Sequence, residues 1–372
     1  MRISILCPDL SSNAMARTCP IAQVLSQNYD IEIIGFDHGG GFFDPHEDEF
    51  DPISFDVGKT PLSLIRNVQR AEEAITGDVC YAFRPMLGSL GVGLLHKHRT
   101  DTPVVLDIED IVRFEQRPWY QKLYNSIIFS GSPTSGAYAA LLHSMLDEVD
   151  KVTVTSEFLQ DRYGGEILPY GPDDDEFNPD TVNPNDALVN DYDNTPIVVF
   201  VGTLRPHKGL DILATALSKT RHEVRLVIAG YDPHEMVGEL SELSGNRVDF
   251  REPIPHDVVP EYLAAADLIA IPQRATQYTR AQIPNKIFEA MAMGRPVVAS
   301  DVSDLSTILN GDGWIVDPGD SDELAAAIDG ILADPAAAEE RGRQLRRRYL
   351  DCYSWAALSD RLDQVFDPLI SG

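Results

Sequence analysis

Lysine is scarce in this chain: 7 of its 30 basic residues are lysine, 23 are arginine, and 59 acidic residues stand against them. The formal net charge is −29. So little positive charge argues against nucleic acid as a partner, because phosphate backbones are held by basic faces. Cysteine is thin as well. The four cysteines, at 7, 19, 80 and 352, show no C-x-x-C spacing, which argues against a zinc site or a disulfide framework and fits reduced thiols in a cytosol. Long apolar runs are also missing, and none reaches the ~18 residues of a membrane span. The opening stretch Ile3–Leu6 stops at Cys7-Pro8 and reads as a first strand rather than a signal peptide. The expected location is cytoplasmic.

What is present is a full-sized apolar content, 43% of 372 residues, enough for two domains of somewhat under 200 residues each. In the first half, apolar β-branched runs at Ile3–Cys7, Ile31–Phe36, Val79–Phe83, Val104–Ile108 and Val152–Thr155 predict strands. Helical spacing separates them at Ala14–Gln27, Pro61–Thr76, Leu87–His98 and Tyr138–Val149. The second half repeats the alternation, with strands predicted at Ile197–Val201, Val224–Ala229, Arg247–Phe250, Leu268–Ile271 and Pro296–Ala299. Further helical tracts run from about Asp320 to Leu332 and from Trp355 to Phe366. Alternating strands and helices imply right-handed crossovers and a parallel sheet covered on both faces. The expected class is α/β: two Rossmann-like, doubly wound domains facing an interdomain cleft. The expected division is 1–178, a linker at 179–196, 197–350, and a helix at 351–372 packing back on the first domain. The linker follows from its Asp, Asn and Pro content.

Two stretches carry chemistry. In Val199–Asp211 a strand runs into Gly202, then a turn with Arg205 and Lys208, then Gly209 opening a helix. Glycine lets a ligand approach the backbone, and a helix start offers free N–H groups to an anion. Two cations at that mouth suit a diphosphate, the alternative being that they balance local acids such as Asp211. The second stretch, Pro284–Ala299, is a short helix stopped by Gly294 and followed by a buried strand. Glu289 sits among apolar residues there, placed either to accept two ribose hydroxyls or to face solvent.

Together these motifs resemble glycosyltransferase family 4, retaining enzymes of the GT-B fold. Gly202 to Gly209 is similar to that family's strand–Gly–Arg–turn–Lys–Gly segment. Leu226–Gly230, Ala265-Ala266-Asp267-Leu268 and Glu289–Val298 follow in the family's order. Ile167–Asp173, with Phe177 and Pro179, resembles its interdomain segment. The resemblance implies that Gly202, Thr203, Arg205, Lys208, Gly230, Asn285, Lys286 and Glu289 bind a nucleotide-sugar donor, UDP- or GDP-linked. Lys208 also serves as a catalytic residue in that reading. The sequence departs from the family at Thr203, where arginine is usual, and at Ala281, where a first glutamate is usual. Arg205 is the replacement considered for the first, and Gln282, Asn285 or Lys286 for the second.

In the first domain the family's His-Asp pair is matched by Glu109 and Asp110, which are expected to orient the acceptor or act as catalytic base, or else to cap the following turn. Asn13 and Arg17 are candidate acceptor contacts. A basic-aromatic patch (Arg113, Arg117, Trp119, Tyr120, Lys122, Tyr124) suggests peripheral contact with the cytoplasmic face of a membrane or a lipid-linked acceptor, against the alternative of a buried interdomain helix. No cofactor and no catalytic metal are expected, since no Asp-x-Asp motif stands in place. The expected reaction is transfer of a sugar to an acceptor hydroxyl of a lipid-linked, polysaccharide or glycoprotein glycan, with retention. The rivals are an epimerase or phosphorylase of the same fold and a catalytically silent nucleotide-sugar-binding protein.

The acidic surface is read as an adaptation to a salt-rich cytosol, where screening relieves self-repulsion, the alternative being simply an acidic mesophilic protein. Tm should rise as KCl is raised from low to molar concentration. A Tm that stays flat or falls over that range removes this reading.

Overall fold

The computed structural model describes residues 1–12, 14–40, 50–58, 60–110, 136–192, 195–232 and 234–370. The chain divides into two compact units, Met1–Leu168 with Leu358–Gly372, and Pro169–Ala357.

Seven parallel strands form the sheet of the first unit: β1 (Arg2–Cys7), β2 (Asp30–Asp37), β3 (Ile53–Asp56), β4 (Val79–Phe83), β5 (Val104–Ile108), β6 (Lys151–Val154) and β7 (Glu166–Ile167). Their spatial order is β3-β2-β1-β4-β5-β6-β7. β4 and β5 are buried along their whole length and β1 nearly so, because helices cover both faces of a parallel sheet. The order reverses between β1 and β4, the switch point at whose carboxyl end such sheets bind ligands.

The core of this unit contains charge. Helix Met15–Ser26 carries Arg17, only 2% exposed, against Asp107 on β5. The Arg17 Nε donates to Asp107 Oδ1 at 2.7 Å, and Nη2 donates to Oδ2 at 2.6 Å and to the Leu168 carbonyl at 3.2 Å. Thr153 Oγ1 (2.7 Å) and the Tyr81 hydroxyl (3.3 Å) also donate to Asp107 Oδ2. Arg17 is therefore not an acceptor contact, as its position after β1 had suggested. It is buried as the partner of Asp107. From Leu358 onward, helix Trp355–Ile370 belongs to this unit. Its Phe366 ring meets Tyr81 edge-on at 5.3 Å, and Tyr29 donates to Asp363 at 2.8 Å.

The second unit has β8 (Ile197–Val201), β9 (Arg225–Ala229), β10 (Val248–Arg251), β11 (Ile269–Ile271), β12 (Val297–Ser300) and β13 (Trp314–Val316). They form two parallel ladders, β10-β9-β8 and β11-β12-β13, joined by a bridge between Val198 and Leu268. Side chains alternate between two cores. Ile197, Val199, Ile269 and Ile271 enter one, while Val198, Phe200, Leu268 and Ala270 enter the other. Asp267, the acid of the Ala-Ala-Asp-Leu motif, accepts the first N–H of β8 from Ile197 at 2.7 Å.

The segment 179–196, read as a linker, carries helix Asp186–Tyr192, whose Leu188 is buried in the core of this unit with Phe177 just before it. Upstream, Gly171 lies against the Tyr349 ring, and the Tyr349 hydroxyl donates to the Pro172 carbonyl. Tyr349 belongs to helix Pro335–Cys352, and Arg346 on the same helix donates to the Phe177 carbonyl at 2.9 Å. These bonds place residues 169–178 in the second unit too.

Removing one partner of a buried ion pair leaves the other charge uncompensated, at about 3–5 kcal/mol. Arg17→Met should destabilise the protein by that amount in urea unfolding followed by circular dichroism. A wild-type midpoint would show that the pair does not hold the first unit together.

Candidate active site

The loops that follow β8 and β11 meet at the switch point of the second unit. Gly202 leaves β8 at φ +124°, and its N–H donates to the Ala229 carbonyl at 2.8 Å. Leu204 N–H then donates to the Tyr231 carbonyl at 2.9 Å, which fixes the loop's exit. Gly230 has no room for a side chain, since a Cβ there would lie 2.1 Å from the Gly202 carbonyl oxygen. Its role is therefore close packing of the strand ends. A tight turn, Pro206–Lys208, precedes Gly209 at φ +70°, and helix Leu210–Lys219 begins there.

The loop after β11 is stitched onto this turn. Arg274 N–H donates to the His207 carbonyl at 3.0 Å, and Arg274 Nε donates to the Pro206 carbonyl at 3.2 Å. The Arg274 guanidinium also pairs with Asp211. Asp211 is thus balanced by Arg274, and the alternative that Arg205 and Lys208 neutralise it is not what the structure shows.

Lys208 and Lys286 converge on one aromatic ring. Their Nζ atoms stand 5.5 and 5.0 Å from the Phe200 centroid. A Cβ at Gly202 would lie 3.2 Å from Lys286 Nζ, so the glycine keeps that space open. Lys208 Nζ donates to the Thr203 carbonyl at 2.6 Å, so Thr203 joins the group through its backbone. Neither lysine forms an ion pair with a described carboxylate. Burial, then the Lys286 and Arg205 charges, push the Lys208 ammonium down to about 7, while Glu289 opposes them. Arg205 is exposed at the rim of this group.

Helix Lys286–Ala292 supplies Lys286 and Glu289, the latter half-buried between Phe288 and Ala290. Asn285 precedes it and donates from Nδ2 to the Tyr170 hydroxyl at 3.3 Å. Gly202, Thr203, Arg205, Lys208 and Lys286 are brought together, and Glu289 is close enough to act on Lys208. Ala281 is fully buried.

In the first unit, Glu109 and Asp110 follow β5 at its carboxyl end. Arg84, directly after β4 and in the left-handed region at φ +64°, pairs with Glu109. Burial holds the Glu109 carboxyl above its ordinary range, with Arg84 opposing. Sequence reasoning missed Arg84, although its place one residue beyond a central strand marks it. It also missed Gln273, two residues beyond β11. Asn13 and the basic-aromatic patch within 111–135 lie outside the described residues. Among the described residues, no helix is long and apolar enough to cross a membrane.

Comparison with solved structures gives the class of fold. Sucrose-phosphate synthase from Thermosynechococcus elongatus superposes with a TM-score of 0.74 at 21% identity, covering 100% of this chain and 99% of that one. HepE from Anabaena, solved with UDP and glucose, gives 0.73 at 20% identity, covering 99% of this chain and 100% of that one. The fold is GT-B, with two Rossmann-like α/β units in one chain.

More narrowly, residues 195–334 match the family model for glycosyl transferases group 1. The GDP-mannose-dependent alpha-(1-6)-phosphatidylinositol monomannoside mannosyltransferase of Mycolicibacterium smegmatis is 31% identical over 240 residues, 59% of this chain and 62% of that protein. The alpha-D-kanosaminyltransferase of Streptomyces kanamyceticus is 28% identical over 184 residues, 47% of this chain and 46% of that protein. The chain thus spans between about half and three fifths of the length of these curated relatives.

If Lys208 meets a diphosphate, that anion favours its charged form, so binding above pH 7 must take up a proton. Affinity for UDP or GDP should accordingly fall between pH 7 and 9, by up to about tenfold per unit. Lys208→Met should flatten that slope in calorimetric titrations. An equal slope in both proteins would remove Lys208 from the linkage.

Proposed function

We propose that the chain is a glycosyltransferase that moves a sugar from a UDP- or GDP-linked donor to an acceptor hydroxyl, with retention. The observation that carries this is a pair of ammonium groups on one ring, without a carboxylate partner among the described residues, at the mouth of a glycine turn and a helix start. In a chain of net charge −29, acids to neutralise them are abundant. Two cations without an ion-pair partner among the described residues fit a site kept for an anionic ligand.

The chemistry follows from that arrangement. As the glycosidic bond breaks, negative charge gathers on the leaving diphosphate. Lys208, Lys286 and the N–H groups that open helix Leu210–Lys219 are preorganised to stabilise it. Glu289 accepts the ribose hydroxyls. With retention, the diphosphate oxygens help to take the acceptor proton as the new bond forms on the face the leaving group vacates. Glu109, held by Arg84, and Asp110 orient the acceptor in the first unit. The mannosyltransferase relative supports a GDP-linked donor and a lipid-linked acceptor, whereas the Anabaena structure holds UDP. Both bases therefore belong in the test.

The experiment is calorimetry with UDP, GDP, UDP-glucose and GDP-mannose, followed by detection of released nucleoside diphosphate with lipid and glycan acceptors. Absence of binding to all four would overturn the reading. Binding without turnover over the acceptor panel would favour a silent binding protein, and a new sugar formed from donor alone would favour an epimerase. Glu289→Gln should lower kcat/KM by roughly 10- to 150-fold, equivalent to about 1.5–3 kcal/mol for a hydrogen bond to a charged group, with Tm unchanged. A large drop in Tm instead would make Glu289 structural.

A further inference from the structure

Gln273 is only 4% exposed, yet its Oε1 has no hydrogen-bond partner among the described residues. A buried carbonyl without a donor destabilises the fold, so such atoms are rare and call for a ligand or a special role. The backbone on either side of it is fixed. Pro272 sits against Gly209, where a Cβ would lie 1.8 Å from the Pro272 carbonyl oxygen. Arg274 is bonded through its N–H to His207 and through its guanidinium to Asp211. Gln273 therefore lies along the same turn that presents Lys208, at the carboxyl end of a central strand.

An unpaired acceptor there needs an O–H or N–H from its ligand. Ionised diphosphate oxygens carry no hydrogen to give, so the phosphates cannot satisfy it. The ribose hydroxyls are assigned to Glu289. Of the groups directly joined to a diphosphate, that leaves the glycosyl ring, which is rich in hydroxyls. Building on the donor reading above, we infer that Gln273 is a specificity-determining residue that accepts a hydrogen bond from a hydroxyl of the donor's transferred sugar. In the empty protein its oxygen is held ready at a cost in stability, and the sugar satisfies it on binding.

The test compares wild type, Gln273→Met and Gln273→Glu. Methionine keeps the volume and removes the acceptor, while glutamate keeps an acceptor oxygen. Tm is measured without ligand, and affinities are measured by calorimetry for UDP, GDP, UDP-glucose and GDP-mannose. Gln273→Met is expected to have an equal or higher Tm and unchanged affinity for the nucleoside diphosphate that wild type prefers. It should bind the corresponding nucleotide sugar at least tenfold more weakly, and Gln273→Glu should restore most of that loss. A merely structural glutamine would instead lower Tm when replaced and weaken both ligands together. Equal loss on nucleotide and nucleotide sugar with Tm retained would move Gln273 to the nucleoside and overturn the sugar assignment. Wild-type affinity of Gln273→Met for all ligands would overturn it as well. If wild type binds none of the four, the donor reading itself fails and this inference falls with it.

Discussion

Gly209 and Pro272 occupy a space that only a residue without a side chain leaves open. The contact forces the loops after β8 and β11 to run against each other, and the rest of the candidate site depends on it. It fixes Gly209 in the left-handed region at the start of helix Leu210–Lys219. It brings Arg274 within reach of Asp211, so the local acid is occupied and is not the partner of the nearby lysines. On the same turn, burial of Lys208 is the largest cause of that ammonium's lowered affinity for protons. The candidate site is a property of two backbones in contact before it is a property of any side chain.

Much of this was legible in the residues because parallel strands buried on both faces write themselves as unbroken apolar runs. Val79–Phe83, Val104–Ile108 and Ile197–Val201 are strands with the bounds their composition indicates, and the other predicted strands differ by a residue at one or both ends. The glycine turn was legible for a similar reason, since glycine and lysine at a strand exit have few structural uses. Helix Pro335–Cys352 was not predicted. Its buried residues, Ala338, Gly342, Leu345 and Tyr349, make a narrow stripe among arginines and glutamates, and two of the four are too small to register as apolar signal. The role of Arg17 was illegible because its partner is 90 positions away and an arginine after a first strand looks like a ligand contact. Gln273 escaped notice because an amide carries no charge, and its significance lies in a bond it does not make.

Arginine and lysine divide the electrostatic work between them. Where a carboxylate must be gripped on two atoms, as at Asp107, the planar fork of Arg17 is used. Around the Phe200 ring, compact ammonium groups stand instead, each with donors free to turn toward a ligand of changing shape. The scarcity of lysine across the chain gives weight to the two that meet there.

The division of the chain also sets an order of assembly. Phe366, which packs on Tyr81 in the first unit, follows the entire second unit in the sequence. A ribosome delivering about 5–20 residues per second needs roughly 10–40 s to make the intervening stretch. Through that interval the second unit can complete its fold, while the first waits with Tyr29 and Tyr81 uncovered. The half that is synthesised first is therefore finished last, and during synthesis it is the half in need of shelter from aggregation.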